Sequence, residues 1–146
     1  MEKKKKATEY SIEIPRQEKY FFLIRKFLDN ILSLESVPDR ERDEIILAVN
    51  ESCDKLFRME PDTGKNIKVD IKIKINPKKI TVVLHHKGMT ELSWYLKKYD
   101  EDRLIMDSVK NKIGDFLIEK SADEVSFSSS KRRGHQVKIT KFRGKK

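Results

Sequence analysis

"IKVDIKIKI", Ile67 to Ile75, and "ITVVLHH", Ile80 to His86, decide the fold. In the first, Ile67, Val69, Ile71, Ile73 and Ile75 alternate with Lys68, Asp70, Lys72 and Lys74. Successive strand side chains point to opposite faces, so this spacing predicts a strand with one buried face and one solvated face. The residues between the two runs, "NPKK", are turn chemistry, and the pair reads as an antiparallel hairpin. A sheet with one covered face follows, and the rest of the chain has to supply the cover.

Upstream, "YSIEI", Tyr10 to Ile14, alternates in the same way and is closed by Pro15. From Arg16 to about Leu34, "RQEKYFFLIRKFLDNILSL" sets Tyr20, Leu23, Ile24, Phe27, Leu28 and Ile31 along one helical stripe. Asp39 can cap a second helix, marked by Ile45, Ile46, Val49, Cys53, Leu56 and Phe57 and reaching about Met59, before "PDTG" breaks it. Downstream of the hairpin, Gly88 to about Val109 has no clear period, although "ELSWYLKKY" suits a short helix. Val109, Ile113, Phe116, Leu117 and Ala122 suit a helix from about Asp107 to Ser121. Two closing strands, "DEVSFS" and "HQVKITKF", flank the turn "SKRRG". This order predicts an α+β fold: a two-layer sandwich of one mixed, mostly antiparallel sheet with its helices on a single face.

The 146 residues fit one domain spanning the whole chain, with flexible basic ends at about 1–8 and 143–146. Charged residues, at 39%, outnumber hydrophobic ones, at 37%, which predicts a folded domain with a densely ionic surface. Cys53 is the only cysteine, so no intrachain disulfide forms, and its apolar neighbours make it a small core residue. "MEKKKK" is followed by no apolar run and no stretch has the length of a membrane span, which predicts a cytoplasmic protein without membrane contact. The histidines and the cysteine have no zinc spacing, and no Ser-His-Asp order is evident. The net charge of +9 permits contact with polyanions, and Lys131, Arg132, Arg133, Lys141, Arg143, Lys145 and Lys146 are the candidates. Phe142 is the only aromatic residue among them, which argues against a base-stacking platform, and solvated ends explain the same charges.

Five stretches carry a more specific signal: "IEIP" before a helix, "LAVNESC", "VVLHHKG", "IGDFLIEKSADEVSF" and "GHQVKITK". In this order, over nearly the whole chain, they resemble the small ATPase-fold domain of bacterial anti-sigma-factor serine kinases. Those are relatives of the histidine-kinase, gyrase and chaperone ATP-binding domains grouped as GHKL. The resemblance implies a histidine-kinase-like ATPase fold, ATP and magnesium as ligands, and Glu51 as the base that positions or deprotonates an attacking hydroxyl. The family's magnesium-holding asparagine lies one helical turn further on, and Lys55 stands there. An ammonium cannot ligate magnesium, which needs oxygen donors, although it can pair with phosphate.

The family's adenine-contacting aspartate falls on His86, and the two glycines that follow it on Gly88 and Thr90. A neutral imidazole accepts one hydrogen bond but lacks a carboxylate's paired oxygens. The phosphate-cradling lid falls on Lys112, Ile113, Gly114 and Asp115, with one glycine of two kept and a carboxylate added near the triphosphate. Replacing three ligand-binding groups, each worth about 1.5–3 kcal/mol, lowers ATP affinity by several orders of magnitude. Lys55, Lys87 and Lys112 add positive charge around the same place.

The resemblance, with these groups replaced, implies a regulatory protein that binds a signalling partner, a sigma factor or an anti-anti-sigma-type domain. ATP binding is then weakened or lost, magnesium enters only with bound ATP, and homodimerisation is a further implication. The alternative is an active serine kinase using Glu51. A basic nucleic-acid-binding module is the other alternative.

Overall fold

The computed structural model describes residues 7–59, 68–86, 118, 120–130 and 134–144. Five strands and two α-helices lie among them: β1 (Thr8–Pro15), α1 (Phe21–Leu34), α2 (Asp39–Met59), β2 (Lys68–Ile75), β3 (Lys79–His86), β4 (Glu124–Ser130) and β5 (Gly134–Phe142). A short 3₁₀ turn, Glu18–Tyr20, leads into α1. The strands form one sheet in the order β1-β2-β3-β5-β4. All four pairings are antiparallel, so the described strands contain no parallel pair of the kind a mixed sheet would have.

The register explains the alternation. Ile14, Val69, His86 and His135 form one row across β1, β2, β3 and β5; Ile12, Ile71, Leu84 and Val137 form the next, and Tyr10, Ile73, Val82 and Ile139 a third. Val69, Ile71, Ile73, Ile75, Ile80, Val82, Leu84, Val137 and Ile139 are all buried on this face. Lys72, Lys74 and Lys138 stand exposed on the other. The fold class is thus α+β, with the helices covering one side of the sheet.

In α1 the buried line is Ile24, Leu28 and Leu32, spaced four apart, which is narrower than the predicted stripe. Leu23, expected on that stripe, is 38% exposed, while Leu32, not expected there, is fully enclosed. In α2 the buried arc is Ile45, Ala48, Val49, Ser52 and Cys53, with Ile46 only partly covered. Ala48 and Ser52 give no hydropathy signal, yet small side chains let the helix approach the sheet. The Ser52 hydroxyl donates to the Ala48 carbonyl at 2.7 Å, which satisfies it without a partner outside the helix. Burial pushes the Cys53 thiol pKa well above its usual range, as suits an inert core residue.

The α1–α2 link is a left-handed stop. Ser36 has φ 60, and the amide of Val37 donates to the Leu32 carbonyl at 2.9 Å, closing the last turn while Val37 is buried. Asp39 does not cap α2 but is its first residue. The Pro38 carbonyl accepts from Arg42 N at 2.9 Å, and the Asp39 carboxylate takes the Arg42 guanidinium at 2.6 Å. An ion pair between Arg42 Nε and Asp29 Oδ1 at 3.0 Å, and a hydrogen bond that Arg25 Nη1 donates to Asn50 Oδ1 at 3.3 Å, tie α1 to α2 along their shared flank.

The β2–β3 turn is held as its sequence predicts, Asn76 Oδ1 accepting from the amides of Lys78 and Lys79, each at 2.8 Å. Of the expected helix ending at Ser121, Ile118, Lys120 and Ser121 are described. Ala122 N donates to the Ile118 carbonyl at 3.0 Å, and Ile118, absent from the predicted stripe, is buried. Gly88 to Val109 lies outside the described residues.

Candidate functional site

An α-helix turns by about 100° per residue, so Glu44, Glu51 and Lys55 fall within about 40° of one another around α2. Glu44 fixes which way that flank looks. Lys141 Nζ of β5 donates to Glu44 Oε2 at 3.0 Å and to the Ser121 carbonyl at 3.1 Å. The flank therefore faces the β5 side of the molecule, whereas α1 occupies the opposite flank through Asn50 and Arg42. Glu51 and Lys55 are half-buried beside the buried arc, neither inside the core nor on opposite sides of the molecule.

His86 ends β3 on the covered face and is 0% exposed. It lies in register with Val69 of β2 and His135 of β5. His85 points to the open face, where its Nδ1 lies 4.0 Å from Asp70 Oδ2, directly opposite it in the register. The two histidines thus face opposite ways, as adjacent strand residues must. Glu44 sits at the end of the sheet where Lys141 pairs with Ile80, at the opposite end of β3 from His86. Gly88, Thr90, Lys112 and Gly114 lie outside the described residues, so the glycine turn and the lid are not placed against this flank.

Lys55 offers an ammonium, and among the described residues no group of three or more His, Cys, Asp or Glu gathers to hold a metal ion. His86 is enclosed by protein, so its ring offers no surface to a base from solvent. What this flank presents is a carboxylate and an ammonium one helical turn apart.

Two cations read as tail charges are structural. Lys141 shares its face with Val137 and Ile139, and its side chain is 11% exposed. The alternation of "HQVKITKF" carried that signal, because position 141 falls on the apolar phase. Arg143, expected in a flexible end, donates Nη1 to the Asn76 carbonyl and Nη2 to the Glu35 carbonyl, both at 3.2 Å. Glu35 in turn accepts from Tyr10 Oη at 2.7 Å, which pushes the Tyr10 pKa up. No periodicity could have signalled that link, which joins four separate segments.

Lys141→Ala is expected to lower stability by about 1 kcal/mol, because it removes the closer of the two cations on the half-buried Glu44 carboxylate, Lys141 at 3.0 Å, and leaves the exposed Arg40 at 3.5 Å. Combining it with Glu44→Gln is expected to cost less than the two single changes added together. Urea denaturation of the double-mutant cycle measures this. Strict additivity would show that the pair does not act as one.

The architecture defines the class, a two-layer α+β domain with an antiparallel five-stranded sheet covered on one side. No protein-family model matches the chain, and no curated protein matches it. Among the described residues no helix is long and apolar enough to cross a membrane.

Proposed function

We propose that this chain is a cytoplasmic regulatory domain built on the plan of the anti-sigma-factor serine kinases, with a degenerate nucleotide site. It acts by binding a protein partner, a sigma factor or an anti-anti-sigma-type domain, and its affinity for ATP is weakened or lost. The observation that carries this reading is the combination on α2 and β3. Glu51 and Lys55 share an accessible flank, as the resemblance expects of the catalytic and metal positions, but an ammonium replaces the magnesium ligand. At the end of β3, a fully buried imidazole stands where an adenine-binding carboxylate is expected.

Calorimetric titration of the full chain with ATP and magnesium tests it. The expected result is no saturable binding in the micromolar range, following from three replaced binding groups at about 1.5–3 kcal/mol each. Micromolar binding overturns the degenerate-site reading.

The half-exposed Glu51 supports a second reading, an active serine kinase with altered nucleotide contacts. Transfer of labelled phosphate to a partner, abolished by Glu51→Gln, would establish it. Of the basic candidates for the nucleic-acid reading, Lys141 and Arg143 are engaged within the fold, which counts against those two alone, and the others lie outside the described residues.

A further inference from the structure

On the sheet face turned away from α1 and α2, the register places Lys72 of β2, Val83 of β3 and Lys138 of β5 in one central row, with Ser11 and Ser126 at its ends. The neighbouring row toward the β2–β3 turn runs Glu9, Lys74, Thr81, Thr140 and Glu124. Lys72, Lys74 and Lys138 are exposed, and Thr81 and Val83 between them are half-buried. Lys68, on the same face, is paired with Glu13 at 3.2 Å, whereas no ion pair among the described residues engages Lys72, Lys74 or Lys138.

Side chains on one face repeat about every 7 Å along a strand and strands lie about 4.8 Å apart, so Lys72 stands about 7 Å from Lys74 and about 10 Å from Lys138. The three form nearly a right-angled triangle. The middle of its long side lies over β3 between Thr81 and Val83, about 6 Å from each lysine backbone. A four-carbon stem spans that distance, so all three ammonium groups reach one point above Thr81 and Val83.

We infer that this triangle is a binding site for a compact phosphoryl group, carried by a phosphate monoester or a short oligophosphate, with the Thr81 hydroxyl as a fourth donor. Each ammonium offers three donors and no acceptor, and the hydroxyl rotates to donate. This set matches an ion with several acceptor oxygens and two negative charges, and a carboxylate fills it only in part. The surroundings limit the ligand's size. Glu9 beside Lys74 and Glu124 beyond Thr140 put a carboxylate on either side of the triangle, so a phosphate chain running across the strands meets like charge both ways. Toward the β2–β3 turn the path is basic, because Lys79 follows Thr81 on the same face of β3, and a second or third linked phosphoryl group fits there. Carboxylates interleaved with the lysines deny the face the single-sign field that holds a protein on an anionic membrane. The site lies across the sheet from the Glu51–Lys55 flank, and the inference does not rest on the proposed function.

Amide NMR of the full chain at low salt, titrated with inorganic tripolyphosphate, tests it. Exposed charges are screened by water and salt, so half-saturation is expected near about 1 mM, too weak to be taken for micromolar ATP binding. Shifts are expected to centre on Lys72, Lys74, Thr81, Val83 and Lys138, and affinity to fall at least about threefold between roughly 50 and 200 mM salt. Lys72→Gln with Lys138→Gln keeps the stems and is expected to weaken binding about tenfold. Lys19→Gln with Lys26→Gln removes the same charge from exposed positions before and on α1 and is expected to change it less than about twofold. Shifts gathered at Glu51 and Lys55, no saturation by about 10 mM, or equal losses in the two double variants overturn the inference. A single-stranded oligonucleotide that binds these lysines more tightly than tripolyphosphate also overturns it, by replacing a compact ligand with a strand.

Discussion

Replacing His86 with aspartate, the residue the family resemblance calls for, is expected to destabilise the protein by about 3 kcal/mol or more at neutral pH, without creating an adenine site. The side chain it replaces is completely enclosed, in a row with Val69 at the end of β3. A carboxylate put there loses its hydration, and burial raises its folded-state pKa above the unfolded value of about 3.9. The sign follows from proton binding. Between the two pKa values the folded state holds the proton more tightly, so stability falls as pH rises through that window. Below about pH 4 both states are protonated and the charge penalty vanishes, leaving only the loss of the ring's packing.

Urea unfolding of wild type and His86→Asp at pH 4, 5.5 and 7 is the measurement, with a deficit that widens toward neutrality as the expected result. A variant as stable as wild type at pH 7 that also binds ATP would mean the pocket is open and polar. The degenerate-site reading would then fail at its best-placed residue.

The second large effect is structural. Leu28→Ala is expected to cost about 3 kcal/mol, lowering the melting temperature by roughly 10 °C in a domain of this size. Leu28 is the middle of the Ile24–Leu28–Leu32 line and is 0% exposed, so truncation leaves a cavity where α1 meets the sheet. The loss is a large share of the roughly 5–15 kcal/mol that holds such a domain folded. Leu47→Ala, on the outer side of α2 at 38% exposure, is the control and is expected to stay within about 0.5 kcal/mol of wild type. Thermal and urea unfolding of both variants decide it. Equal effects at the two positions would mean that the α1 stripe is not the contact between layers.

The strands were legible because their signal is local and repetitive. Five isoleucines and valines alternating with charged residues between 67 and 75 admit one reading, and the structure has β2 from Lys68 with that phase. The helices were legible as elements but less so as faces. Hydropathy assigned Leu23 to the core and overlooked Ala48 and Ser52, since burial on a helix depends on what lies opposite as well as on side-chain character. For the candidate site, the spacing of Glu51 and Lys55 was enough to put them on one flank of a helix. Which way that flank looks required Glu44 and Lys141, which are 97 residues apart in the chain.

The sequence by itself determined the class of fold, the antiparallel hairpin at its centre, the placement of His85 and His86 on opposite faces and the core position of Cys53. Periods of two and about 3.6 residues are imposed by the backbone and need no knowledge of the rest of the chain. Only the tertiary structure decided the strand order, the engagement of Lys141 and Arg143, the enclosure of His86, and the exposure of Leu23 and Leu34 on α1. Each of these depends on segments that meet across long stretches of chain. Whether a charge is solvated or paired, and an apolar side chain covered or bare, is a property of that meeting and not of the residue.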